Sequence, residues 1–147
     1  MTDGLDEDAR RAIEVDCERL IKHYVNLNDA QDWPAVAALY SEDARFARPS
    51  QPGVFVEGRE AILASFLARP ARAQRHVIAN VVVEVEDESH ARAFSVIVLY
   101  MGDVPEGGGL PVQDPKSPLI GTFTDKLVRN RDGWRFAERI GGLDFRP

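Results

Sequence analysis

The sequence predicts an α+β fold, with N-terminal helices packed on a strongly curved, mixed or antiparallel sheet that forms a cone around an internal cavity. Two observations predict it. Before residue 70 the apolar residues recur at three- and four-residue spacing, the helical period; from residue 75 onward the chain becomes rich in Val, Ile, Phe and Thr, the composition of strands. Helices gathered at one end of the chain and strands at the other end up as a helical layer on one sheet face. The mouth of the resulting cone is where a small ligand would sit.

The elements follow in order. Residues 8 to 28 read as a helix: Asp6 or Asp8 can cap it, and Ile13, Cys17, Leu20, Ile21, Tyr24 and Val25 form one apolar stripe. Asn28-Asp29 ends it. Asp32-Trp33-Pro34 opens a second helix, with Asp32 as N-cap and Pro34 in the first turn, running to about Tyr40. Phe46 begins a short extended piece, broken at Pro49-Ser50-Gln51-Pro52-Gly53, and Val54-Phe55-Val56 is extended again. Gly58-Arg59-Glu60 opens a third helix that reaches about Leu67 and stops before Pro70. Residues 75–86, 91–101, 118–129 and 134–142 then read as long strands of a meander. Asn130-Arg131-Asp132-Gly133 is the sharpest hairpin signal between them. The Gly- and Pro-rich stretch from Gly102 to Pro118 reads equally as a lid or as a loose hairpin tip.

The chain has 147 residues, about one domain's worth, and is read as a single domain over 1–147. Its 44% apolar and 29% charged residues are ordinary globular composition. No apolar run approaches the roughly 20 residues that span a bilayer, so a membrane is not expected. The opening Met1-Thr2-Asp3-Gly4-Leu5-Asp6-Glu7-Asp8 is acidic and does not read as a signal peptide. With a single cysteine, Cys17, the expected location is the reducing cytoplasm. The net charge of −6 and the scattered arginines argue against a nucleic-acid partner. The chain contains no HExxH, CxxC or GxSxG spacing, so neither a metal nor a nucleophilic serine is expected.

Of the three histidines, His23 reads as a surface residue of the first helix and His90 as a turn residue. His76 begins the strand Val77-Ile78-Ala79-Asn80-Val81-Val82-Val83, and alternation places it on one face with Ile78 and Asn80. It is either a satisfied core histidine or a base. Asp29 lies where the first helix ends, near the sheet rim, and is either a helix-end aspartate or a site residue. Arg139 on the last strand either pairs outward or, pointing inward, needs an anion.

Several segments together resemble the SnoaL-like, nuclear transport factor 2-like (cystatin-like) superfamily. They are Asn28-Asp29-Ala30-Gln31-Asp32-Trp33, Leu39-Tyr40-Ser41-Glu42-Asp43-Ala44-Arg45-Phe46, Gly58-Arg59-Glu60-Ala61-Ile62, Arg75-His76-Val77-Ile78-Ala79-Asn80 and Arg131-Asp132-Gly133-Trp134-Arg135-Phe136. The resemblance spans about residues 10 to 145 and is nearest to the branch of scytalone dehydratase and hexachlorocyclohexane dehydrochlorinase. It implies an Asp–His dyad at Asp29 and His76, and a pocket arginine at Arg139. The sequence departs from that branch in having no second histidine within residues 92–101, and a tyrosine, Tyr24, where the dehydrochlorinase carries a basic residue.

The expected function is therefore a cofactor-independent lyase or isomerase acting on a small, cyclic, largely apolar molecule. A neutral imidazole can accept a proton near pH 7, and a carboxylate on its other nitrogen fixes the tautomer. Tyr24, Tyr40 or Arg139 would stabilise developing charge. Phe46, Phe55, Phe66 and Tyr100 would supply an apolar wall, although core packing explains each equally well. Two other readings stand beside this one. The first is a non-catalytic subunit like the beta subunit of ring-hydroxylating dioxygenases. The second is a polyketide cyclase or ketosteroid-isomerase-like enzyme with a carboxylate base such as Glu84 or Asp125. An outer apolar patch of Val81, Val83, Val85 and Ile97 would make the chain a homo-oligomer, a dimer or trimer.

Overall fold

The structure is a computed structural model that describes residues 4–147. Met1, Thr2 and Asp3, the start of the acidic opening, lie outside the described residues. Helix α1 (Glu7–Asp29) is capped by Asp6, whose carboxylate accepts from the Ala9 N–H at 2.7 Å. Its stripe of Ile13, Cys17, Leu20, Ile21, Tyr24 and Val25 is buried. Asp32 caps α2 (Trp33–Ala38), and α3 (Arg59–Leu67) follows Gly58, whose φ of 93° suits glycine. Among the described residues no helix is long and apolar enough to cross a membrane.

The sheet is a mixed one. Its strands are β1 (Tyr40–Ala47), β2 (Val56–Glu57), β3 (Ala73–Val85), β4 (His90–Asp103), β5 (Val112–Gln113), β6 (Leu119–Asn130) and β7 (Gly133–Leu143). The order is β2-β1-β7-β6-β4-β3, with β5 on the end of β4. β1 runs parallel to β7, and the other pairs are antiparallel. This pairing corrects the second helix, expected to reach Tyr40. The Phe136 N–H donates to the Leu39 carbonyl, and Tyr40 registers with Phe136, so the chain is already strand at Tyr40 rather than first at Phe46.

Register shifts decide which side chains face the helices; one lies in β1 between Tyr40 and Arg45, and two more act on β3 and β7. In β3 the register shifts between Ala79 and Val82, and Asn80 sits there at φ 53°, a left-handed conformation that asparagine tolerates. His76 and Ile78 face inward before the bulge, and Val81, Val83 and Val85 face inward after it. Asn80 itself is exposed and does not share the His76 face. The same inversion corrects the expected outer patch for Val81, Val83 and Val85, while Ile97 of β4 faces inward opposite Ile78; Val83 and Ile97 lie in the core and Val81 and Val85 pack against it. The large apolar side chains that β3 and β4 leave exposed are instead Val77, Val82, Phe94 and Tyr100. In β7 the bulge at Ala137 lets both Phe136 and Arg139 point inward.

Asn80 is where a backbone requirement sets the inner face of β3. Asn80→Gly should leave stability near wild type, whereas Asn80→Val should cost about 1–2 kcal/mol because a β-branched residue opposes the left-handed conformation. Urea midpoints check this. Equal midpoints for the Val variant and wild type would show that the bulge does not depend on this residue.

Candidate active site

The end of α1 and the turn after it are stitched to β3 and the residue before it by side-chain contacts at positions 28, 29 and 31. Gln74 donates through Nε2 to both the backbone carbonyl and the side-chain oxygen of Asn28, at 2.9 and 2.8 Å. Gln31 donates to the Arg72 carbonyl at 2.8 Å. Between them Asp29 meets His76 twice: Oδ2 accepts from the His76 backbone N–H at 2.8 Å, and Oδ1 lies 2.5 Å from Nδ1. A carboxylate can only accept, so the ring proton in this contact sits on Nδ1 and a neutral ring carries its lone pair on Nε2. The Asp29 and His76 side chains are 4% and 11% exposed, so water reaches the ring sparingly.

His76 lies on the wall of a cavity of about 400 Å³ between the helices and the inner sheet face. That is within the roughly 300–1,000 Å³ typical of small-molecule pockets. Phe46, Phe66, Phe123, Ile97, Leu99 and Leu143 give it a mostly apolar wall, and Tyr24, Asn28, Gln74, Arg48, Arg69 and Arg72 supply the polar groups. Among the described residues no cluster of three or more His, Cys, Asp or Glu could hold a metal ion.

The structure brings together some of the residues the sequence singles out and separates others. Asp29, His76, Tyr24, Phe46 and Phe66 meet at or beside the cavity. Tyr40 is fully buried beneath the wall, its hydroxyl 2.7 Å from that of Tyr24. Burial holds both hydroxyls above the ordinary tyrosine range, and one donates to the other, which leaves the accepting hydroxyl's own proton outside that bond. Phe55 stands apart, with the Arg45 guanidinium 3.5 Å from its ring centre. Tyr100 faces away because its position in β4 alternates with the inward Leu99 and Met101, and it is 42% exposed. His23 is exposed, and His90 bonds Asp87 in its turn.

Arg139 does point inward, but it lies behind the cavity rather than on it. Its guanidinium carbon sits 4.3, 3.8 and 4.5 Å from the ring centres of Tyr24, Phe123 and Phe136. Its Nε is 3.1 Å from Asp125 Oδ1, and neither side chain is exposed. Asp125 is therefore an ion-pair partner inside the fold, and Glu84 is exposed on the outer side of β3. The sequence reading missed Arg48, Arg69, Asn28 and Gln74. Gln74 was within reach, being two residues before His76 on the same face; Arg48 and Arg69 sit in irregular segments, where no periodicity points anywhere.

Residues 9–140 match the family model described as the SnoaL-like domain, and the chain belongs to that family. No curated protein matches it significantly in sequence. It is similar in structure to a candidate scytalone dehydratase from Novosphingobium aromaticivorans, with a TM-score of 0.81 at 21% identity over 95% of this chain and 89% of that one. A hexachlorocyclohexane dehydrochlorinase, LinA type 2, gives 0.77 at 16% identity over 95% and 90%. An NTF2-like protein with a cystatin-like fold, also from Novosphingobium aromaticivorans, gives 0.73 at 25% identity over 96% and 92%. These likenesses establish the fold.

The buried pair behind the cavity has a measurable signature. Removing one partner leaves the other charged and buried, so Asp125→Leu should cost about 3–5 kcal/mol, and adding Arg139→Met should return most of that loss. Burial pushes Asp125 up to about 6 despite the guanidinium beside it. Folded protein thus keeps a proton that the unfolded chain releases at about 4. The site's contribution is fully present below that pH and lost as the pH rises through about 6. Against the non-titrating Asp125→Asn, wild type should lose on the order of 3 kcal/mol between pH 4 and 7. A difference that stays level across this range would contradict the shift.

Proposed function

We propose that this SnoaL-like chain, acting as one domain, is a lyase or isomerase that removes a proton from carbon in a small, largely apolar molecule. His76 is the base and Asp29 its positioning residue. The reading rests above all on one observation: a carboxylate anchored by a backbone N–H holds Nδ1 of an imidazole that lies on the wall of an apolar cavity. The placement of Asp29 adds to it. An acidic residue in the last turn of a helix faces the negative end of the helix dipole, a cost of about 0.3–1 kcal/mol. The two contacts to His76 offset that cost, so the carboxylate at this helix end is committed to the imidazole.

The chemistry follows from the geometry. Nε2 takes the proton as the C–H electrons move toward a leaving group or a carbonyl. Asp29 stabilises the imidazolium without itself being protonated. The protonated ring then returns its proton, to the departing group in an elimination or to a second carbon in an isomerisation. No step in this sequence calls on a cofactor. The overall likeness in fold to a candidate scytalone dehydratase and to a dehydrochlorinase agrees with elimination chemistry. The open cavity weighs against a filled, purely structural subunit, and the pairing of Asp125 with Arg139 weighs against a carboxylate base on the sheet. The lone, buried Cys17, whose thiol is pushed up to about 12 mainly by burial, suits a cytoplasmic enzyme that makes no disulfide.

A screen of cyclic ketones and hydroxylated aromatic precursors in deuterated water, read by mass spectrometry, tests the proposal. Deuterium uptake or loss of water should appear with wild type. It should fall by about 10²–10⁴-fold in His76→Ala and strongly in Asp29→Asn, both variants staying folded with melts lowered by the contacts they lose at the end of α1. Full activity in a folded His76→Ala protein would remove the imidazole from the mechanism.

A further inference from the structure

Three arginines line the cavity, and they are not equivalent. Arg72 is neutralised: its Nε and Nη2 donate to Asp103 at 3.0 and 3.1 Å, and Nη2 also reaches Asp114 at 3.1 Å. Arg48 and Arg69 have no carboxylate within ion-pair reach among the described residues. Both are only partly exposed, and the Arg69 Nε is a buried donor without an acceptor. Arg45 Nε and the Arg139 nitrogens are also buried without a hydrogen-bond acceptor, but those two side chains face a carboxylate. Arg45, Arg75, Arg92 and Arg139 pair with acids, and those without an acid or carbonyl partner, such as Arg19 and Arg131, are exposed to water.

The placement of the two is built into the fold. The Arg69 guanidinium lies 4.3 Å from the centre of the Phe66 ring, which holds it against the apolar wall. Arg48 precedes Pro49, and Pro49 packs so tightly on Gly141 that a Cβ there would come within 2.5 Å of its ring. Glycine at 141 therefore lets the 48–50 segment, which lines the cavity, pack close against β7. The two cations share one low-dielectric space, and burial together with the charge of Arg48 lowers Arg69 to about 10. No aspartate or glutamate lines the cavity among the described residues, although the chain as a whole carries a net charge of −6. A half-buried, unpaired guanidinium pair is costly unless an anion completes it.

We infer that the cavity takes an aromatic or alicyclic carboxylate, its ring against the Phe46, Phe66 and Phe123 wall and its carboxylate held by Arg48 and Arg69. Planar guanidiniums match a planar carboxylate through paired N–H···O bonds. Neutral ring compounds of the same shape would leave both cations unmet. This inference names the substrate class for the reaction proposed above, and its binding half stands apart from catalysis.

Calorimetry with 2-naphthoate and its neutral counterpart 2-naphthamide tests it on the intact chain. The carboxylate should bind at least tenfold more tightly at low salt, with the advantage shrinking as salt rises. Arg48→Gln and Arg69→Gln should each remove most of that preference. Arg69→Lys, which keeps the charge, should retain part of it, and Arg92→Gln, outside the cavity, should leave it whole. His76→Ala should keep the preference while losing deuterium exchange, which separates the two claims: lost exchange with intact anion preference bears on catalysis alone. Equal binding of the two probes, or a preference that survives both glutamine variants, would overturn the inference even if exchange activity is found.

Discussion

The junction between the end of α1 and the start of β3 is the constraint on which the rest of the site depends. The last carbonyls of a helix have no partners within it, and here the Asn28 carbonyl is taken up by Gln74 while Asp29 turns to His76. The dipole penalty on Asp29 is a fraction of a kcal/mol to about one, whereas hydrogen bonds to a charged group contribute about 1.5–3 kcal/mol each. The two contacts to His76 therefore outweigh the penalty, and they do so only in this register of helix on strand. A slide of the helix by one residue would break all three stitches at once. The same contacts that dock the helix thus orient the imidazole.

How much of this could be read from the sequence depends on parity. The alternation argument placed His76 inward correctly because it lies before the Asn80 bulge, and it failed for Val81, Val83 and Val85 because they lie beyond it. On β7 the Ala137 bulge is what brings Arg139 inside with Phe136. Asparagine at position 80 is the local sign that the count resets, since it tolerates the left-handed region better than its Val and Ala neighbours. Helix ends were legible for a different reason: Asp6 and Asp32 act locally, through N–H groups three residues on. Tyr40 was misjudged because its strand state comes from pairing with Phe136, a partner far away in sequence.

Arg139 and Asp125 show how a buried charge shapes the cavity without entering it. The guanidinium is flanked by Tyr24, Phe123 and Phe136, and the negative ring faces partly replace lost hydration. Tyr24 and Phe123 also line the cavity. The floor of the pocket is thus also the roof of the ion pair, and its rings are held from behind. An arginine that the family resemblance placed in the pocket acts here through the rings that cover it.

Charge balance links this architecture to the reading of the site. Beside the cavity Asp29 is a single carboxylate already committed to His76, and Arg48 and Arg69 have no carboxylate within ion-pair reach among the described residues. Proton transfer to His76 would add a third positive charge to a poorly hydrated space, where like charges repel more strongly than in water. An anionic ligand meets both demands together: it neutralises the guanidiniums before reaction and lowers the charge that accumulates as the ring is protonated. A neutral hydrocarbon would meet neither. The apolar wall and the unpaired cations are thus two halves of one requirement, a ligand greasy at the ring and charged at the end facing Arg48 and Arg69.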